Sequence, residues 1–187
     1  MDIRPLDAKF GAEIIGIDLN DPVDDDTCRT LTDTLYANRI IVIRNQNLDK
    51  ATYFDFGQKL GHPIPHVLNH LRMPDYPAMM VVGNTDEKDK NEAIRNGTVL
   101  WHTDQSYEEV PASATMLYAI KVPQVGGETQ VCNMVKAYED LDDDTKTHLE
   151  TLQVAHQYGR GKLRPEEFRA SPILTSEQQE QLPTFYH

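Results

Sequence analysis

Short apolar blocks separated by acidic or Pro/Gly punctuation run through the first third of the chain. Residues 12–19 are apolar and partly alternating, which predicts a strand ended by Asn20-Asp21-Pro22. Asp24-Asp25-Asp26 supplies an N-cap and an acidic first turn, and Cys28, Leu31, Leu35 and Tyr36 then follow helical spacing. Ile40-Ile41-Val42-Ile43 is a β-branched apolar run, read as a buried strand. Asp49 opens a second helix with Tyr53, Phe56 and Leu60 on one face, and Gly61 stands where its C-cap belongs. His62-Pro63-Ile64-Pro65-His66 excludes regular helix, because each proline restricts the residue before it.

The pattern then loosens. Residues 79–82 predict a strand, and the polar stretch 84–96 predicts a long connection. Strand-like segments resume at 98–103, 114–122 and 129–133, with turns at Pro111 and Gly126-Gly127. Residues 137–141 and 145–152 read as helices separated by Asp142-Asp143-Asp144, and residues 154–156 as a short strand. Every local signal is α+β. The two acidic triplets lack a calcium-loop pattern and read as helix starts and solvated turns.

Composition narrows the classes. The 187 residues fit one domain large enough to bury a core, and 39% hydrophobic with 26% charged residues is too apolar for a disordered chain. With 18 Lys+Arg against 30 Asp+Glu, the net charge of −12 argues against nucleic acid and against an anionic membrane surface. An anionic ligand would need a local basic pocket within that field. Cys28 and Cys132 have no metal or disulfide spacing and read as small core hydrophobes. No apolar run approaches a membrane span and the N-terminus has no signal-peptide pattern, so the expected location is the cytoplasm.

The chemistry concentrates in Leu100-Trp101-His102-Thr103-Asp104. On an extended segment alternate side chains share a face, so His102 and Asp104 point the same way while Trp101 and Thr103 pack behind. An imidazole and a carboxylate so placed form two-thirds of a 2-His-1-carboxylate facial triad, which leaves three positions on non-haem Fe(II) open. A zinc hydrolase using the same pair is disfavoured, since zinc also needs a third protein ligand.

This sequence resembles the taurine dioxygenase / 2,4-dichlorophenoxyacetate dioxygenase family of Fe(II)- and 2-oxoglutarate-dependent oxygenases. The carriers, in order, are Ile41-Val42-Ile43-Arg44, Phe54-Asp55-Phe56-Gly57, Leu60-Gly61, Trp101-His102-Thr103-Asp104, Pro111-Ala112, Pro123, Gly126-Gly127-Glu128-Thr129-Gln130 and Ala137-Tyr138-Glu139-Asp140-Leu141. The resemblance implies a double-stranded β-helix (jelly-roll) with flanking helices. It implies Fe(II), 2-oxoglutarate and O2 as cofactor and co-substrates, and hydroxylation of a small organic anion with release of succinate and CO2. His102 and Asp104 match the first two iron ligands, Thr129 a contact to a carboxylate of 2-oxoglutarate, and His66 the position that binds the sulfonate in the taurine enzyme. Asn96, Thr98 and Gln105 lie near the ligand segment, but polar residues there are ordinarily solvated. The substrate hints conflict: Cys132-Asn133-Met134 leans towards aryloxyalkanoate enzymes, His66 towards taurine, and sulfate esters stay open.

The resemblance also implies a second histidine and an arginine on later strands. His187 follows an irregular Pro-containing segment and is not read as that ligand, and Arg160, Arg164 and Arg169 lack the expected context. The expectation is therefore one dioxygenase domain over residues 1–187, incomplete at its C-terminal side. This chain itself is expected to bind Fe(II) weakly and not to turn over. The alternative is a truncated, non-catalytic jelly-roll binding or assembly module, whose bare strand edges would favour association of copies.

Overall fold

A computed structural model of the protein describes residues 1–67, 69–83, 101–158, 177, 180 and 182–187. They divide into two units, Met1–Met80 with Ala119–Leu141, and Val81–Tyr118 with Asp142–His187.

The first unit is organised by a three-stranded sheet of order β1-β2-β3. Strand β1 (Asp2–Pro5) is exposed along its whole length, so no apolar period announces it in the sequence. It pairs antiparallel with β2 (Ala12–Ile15), which in turn pairs parallel with β3 (Ile41–Ile43). Strand β2 stops earlier than the apolar run predicts because Gly16 takes a φ of +76°, outside the strand region. Beyond the ladder the Gln46 side chain takes over the pairing. Its Oε1 accepts from the Leu19 N–H at 2.8 Å and its Nε2 donates to the Ile17 carbonyl at 3.0 Å.

Helix α1 (Asp25–Asn38) is the crossover that parallel strands require. The Asp24 carboxylate accepts from the Thr27 N–H at 2.8 Å and satisfies an otherwise orphaned donor of the first turn. The helix ends at Arg39, whose φ of 69° is left-handed and whose N–H returns to the Leu35 carbonyl. Helix α2 (Lys50–Leu60) repeats the start with Asp49 accepting from the Thr52 N–H. The predicted faces meet in part: Ile14, Leu19, Val23, Cys28, Leu31 and Phe56 form the core, with Leu31 fully enclosed, but Tyr36 is 50% exposed and Thr34 is buried on α1 instead. Gly61 is the predicted C-cap, but in an extended rather than left-handed conformation.

The Pro63–Pro65 region has no regular structure, as its prolines require. A 3-10 turn (Asn69–Leu71) follows, and the strand expected at 79–82 reduces to one antiparallel bridge between Arg72 and Met80. The other strands predicted in the middle of the chain are also corrected. Residues 101–103, 114–122 and 129–133 have no strand ladder, and residues 98–100 and 84–96 lie outside the described residues. An apolar run becomes a strand only when a neighbour supplies its hydrogen bonds. Among the described residues these segments lack that neighbour, and Ile120 and Val122 remain 82% and 71% exposed. Helix α3 (Met134–Glu139) begins three residues before its predicted start, where the Asn133 side chain caps the Lys136 N–H.

In the second unit, helix α4 (Asp143–Leu149) is capped by Asp142, so both acidic triplets are helix starts. Strand β4 (Ala155–His156) pairs antiparallel with β5 (Phe185–Tyr186), which the sequence reading did not anticipate. Cys28 is buried, whereas Cys132 is exposed and is not the core hydrophobe expected. Among the described residues no helix is long and apolar enough to cross a membrane.

Candidate functional site

His102 and Asp104 belong to the second unit, on an irregular segment that enters a turn over residues 104–107. The turn is tight: Gln105 takes a φ of 52°, unusual for a residue with a Cβ, and its carbonyl accepts from the Glu108 N–H at 3.1 Å. Local backbone strain of this kind persists where the surroundings hold it, and it sits immediately after the carboxylate. Although the segment is no strand, its alternate side chains meet: His102 Nε2 lies 3.4 Å from Asp104 Oδ1, each side chain half exposed. Trp101 is 68% exposed, so the expected packing behind the pair is absent.

The second carboxylate oxygen is engaged elsewhere. The Thr115 hydroxyl donates to Asp104 Oδ2 at 2.7 Å. Sequence reading missed this residue. Nothing in its type or spacing marks it, because the contact spans eleven residues and depends on the chain turning back after Pro111. Tyr107, also on the turn, packs edge-on against Tyr158 at 4.8 Å between ring centroids. Burial, with added repulsion from Tyr158, Glu108 and Asp104, pushes its phenol well above the ordinary value, so it stays a neutral hydroxyl.

The donor set is compatible with one metal ion. Ligand bonds of about 2.1 Å meeting near a right angle would put the two atoms roughly 3.0 Å apart, and a modest widening of that angle gives the observed separation. No group of three His, Cys, Asp or Glu side chains able to hold a metal occurs among the described residues. His187 is tied by paired backbone hydrogen bonds to Val154, the residue before β4, its ring stands 5.4 Å from that of His156, and its Nε2 lies 3.2 Å from the Glu108 carbonyl oxygen.

Thr129 and His66 belong to the first unit. Thr129 is exposed and follows Gly126 and Gly127, both left-handed at φ of 81° and 78°. A Cβ at Gly127 would come within 3.1 Å of Pro123 Cγ, so both conformation and space favour glycine before the threonine. His66 is half-buried, and its carbonyl accepts from Arg72 Nε at 2.5 Å. Asn96, Thr98, Arg160, Arg164 and Arg169 lie outside the described residues.

Comparison with known proteins covers nearly the whole chain. Residues 2–186 match the family described as taurine catabolism dioxygenase TauD, TfdA family. The (S)-phenoxypropionate/alpha-ketoglutarate-dioxygenase of Sphingobium herbicidovorans is 34% identical over 167 residues, covering 87% of this chain and 56% of that protein. The alpha-ketoglutarate-dependent 2,4-dichlorophenoxyacetate dioxygenase of Cupriavidus pinatubonensis is 27% identical, with 82% and 57% covered. The alpha-ketoglutarate-dependent sulfate ester dioxygenase of Pseudomonas putida is also 27% identical, with 89% and 53% covered. The chain thus spans about half the length of the curated relatives it matches. In fold it is similar to a taurine dioxygenase from Burkholderia xenovorans (TM-score 0.66, 23% identity, 84% of this chain and 53% of that one). It is similar too to AAD-2, crystallised with Mn(II) and N-oxalylglycine (TM-score 0.71, 21% identity, 100% and 63%).

Proposed function

Because this chain belongs to the TauD, TfdA family of dioxygenases, we propose that the protein carrying it hydroxylates a small organic anion in an Fe(II)- and 2-oxoglutarate-dependent reaction. The observation that carries the reading is the convergence of His102 Nε2 and Asp104 Oδ1 to 3.4 Å within a sequence matched to that family from residue 2 to 186. Bound iron with 2-oxoglutarate and O2 supplies the oxidising chemistry, with succinate and CO2 as by-products.

The residues of this chain have binding and orienting tasks. His102 and Asp104 hold the metal through a neutral imidazole nitrogen and a carboxylate oxygen, leaving positions for the co-substrate. Thr129 offers its hydroxyl to a carboxylate of 2-oxoglutarate from a turn that Gly126 and Gly127 make possible. His66 contacts the anionic group of the substrate. The substrate class is a sulfonate, sulfate ester or aryloxyalkanoate, in keeping with the phenoxypropionate, sulfate ester and taurine dioxygenases to which the chain is similar. With a net charge of −12, the chain attracts none of these through its overall field, so recognition is local. The work is cytoplasmic, with small molecules as the only partners the reading requires.

The test is succinate formation from 2-oxoglutarate by the protein carrying this sequence, screened over those three substrate classes. One class should stimulate it, and H102A or D104A should abolish it. T129V should raise the 2-oxoglutarate requirement while sparing metal binding. Turnover that survives H102A and D104A would refute the metal assignment, and unchanged 2-oxoglutarate binding in T129V would refute that of Thr129.

A further inference from the structure

We propose that Thr115 is a positioning residue that makes Asp104 a one-oxygen ligand. The inference rests on the metal-binding reading of His102 and Asp104. A carboxylate is acceptor-only and can present either one or both oxygens to a cation. Here the two oxygens are already distinguished: Oδ2 accepts the Thr115 hydroxyl at 2.7 Å, while Oδ1 stands 3.4 Å from His102 Nε2. A hydroxyl has a single proton to donate, and a short O–H···O⁻ bond to a charged acceptor is among the stronger hydrogen bonds available. Thr115 therefore fixes the rotation of the carboxyl plane and engages one lone pair of Oδ2, which disfavours the tilt that would bring that oxygen onto the metal as well.

The functional consequence is a matter of counting. An ion held by His102, one oxygen of Asp104 and a further ligand beyond this pair would keep three positions for co-substrates. If the carboxylate closed on the metal through both oxygens, one of those positions would be lost. Thr115 does not touch metal or substrate in this arrangement. It acts through Asp104, as hydrogen-bonded partners of metal ligands do. Its approach is set by the turn after Asp104, which the left-handed Gln105 begins and from which the chain returns past Pro111.

The test uses Mn(II) alone as the probe, titrated into the protein and followed by the loss of the free-ion EPR signal. H102A and D104A identify the site by removing it. The expected result is that T115V binds Mn(II) about 10-fold more weakly, because the unanchored carboxyl loses more in orientation than its freed oxygen gains, while T115S, which keeps the hydroxyl, stays within about two-fold of the parent. Thr115 is exposed, and far-UV circular dichroism should be the same for all of these variants. Parent-like binding by T115V, or equal weakening in T115V and T115S, would overturn the role of the hydroxyl and leave the metal site standing. Binding indifferent to H102A and D104A would overturn the site and the inference together.

Discussion

Gly11 closes the turn between β1 and β2, and Gly11→Ala should cost the first unit a large share of its stability. The backbone there has a φ of +104°, which an L-residue occupies at a cost of about 1–2 kcal/mol. A Cβ at this position would also stand 2.7 Å from Leu6 Cδ1 and 2.8 Å from Ile40 Cγ2. Carbon atoms pack best at about 3.5–4.0 Å, so both neighbours must move by roughly an ångström. Leu6 can rotate, but Ile40 is β-branched, stiff at χ1, and its carbonyl accepts the Ala12 N–H at 3.0 Å beside the parallel ladder. Overpacking of this kind costs about 1–3 kcal/mol, and the lower entropy of the unfolded alanine chain returns about 0.4–1 kcal/mol. The net loss is then about 1–4.5 kcal/mol. Gly61→Ala is the control: φ is 172°, ordinary extended backbone, and no atom lies within 4 Å of the new Cβ. That variant should match the parent or exceed it by up to about 1 kcal/mol. Urea denaturation followed at 222 nm reads both from the shift in midpoint. Equal midpoints for the two variants would refute the reasoning.

Leu31→Ala should destabilise by about 3–4 kcal/mol, since three buried carbons at roughly 0.8 kcal/mol each are lost and a cavity remains; Leu31→Met should cost less than about 1.5 kcal/mol. The same denaturation experiment checks the pair. At acid pH the helix caps should weaken. Hydrogen bonds from Thr27, Thr52 and Thr145 hold the Asp24, Asp49 and Asp142 carboxyls below their ordinary value of 3.8. Each binds its proton less readily folded than unfolded, so its contribution is present above 3.8 and disappears as the pH falls further. The triple variant D24N/D49N/D142N keeps cap acceptors without titrating, and its stability should fall less steeply with acid than that of the parent. In alkaline spectrophotometric titration Tyr107 should stay protonated while exposed tyrosines ionise, so Y107F should leave the amplitude of the main step unchanged.

What was legible in the sequence was whatever local physics decides. The aspartates at 24, 49 and 142 mark helix starts, each capping a threonine N–H three residues on, and most of the apolar faces of α1 and α2 follow from period, Tyr36 excepted. The pairing of His102 with Asp104 was legible too, because a two-residue separation suffices. Features that depend on distant partners were not. Strand β1 has no buried face to betray it, and β5, the partner of the short strand read at 154–156, lies some thirty residues away in sequence. Residues 114–122 and 129–133 carry strand-like composition, yet composition does not supply the hydrogen-bonding neighbour. Thr115 belongs with these: its role is a contact, and nothing in a threonine's identity reveals what it will touch.

Gln46 illustrates a different limit, that of substitution. Its amide bonds the Ile17 carbonyl and the Leu19 N–H, the two groups flanking Asp18 that a parallel neighbour's own peptide unit would bond. A side chain here impersonates main chain. Such a position tolerates few replacements, because glutamate keeps the length but lacks the donor, asparagine keeps both groups but falls a methylene short, and apolar residues offer neither. Position 46 is thus constrained by its amide, although it contributes nothing to the core and no hydrophobic pattern passes through it.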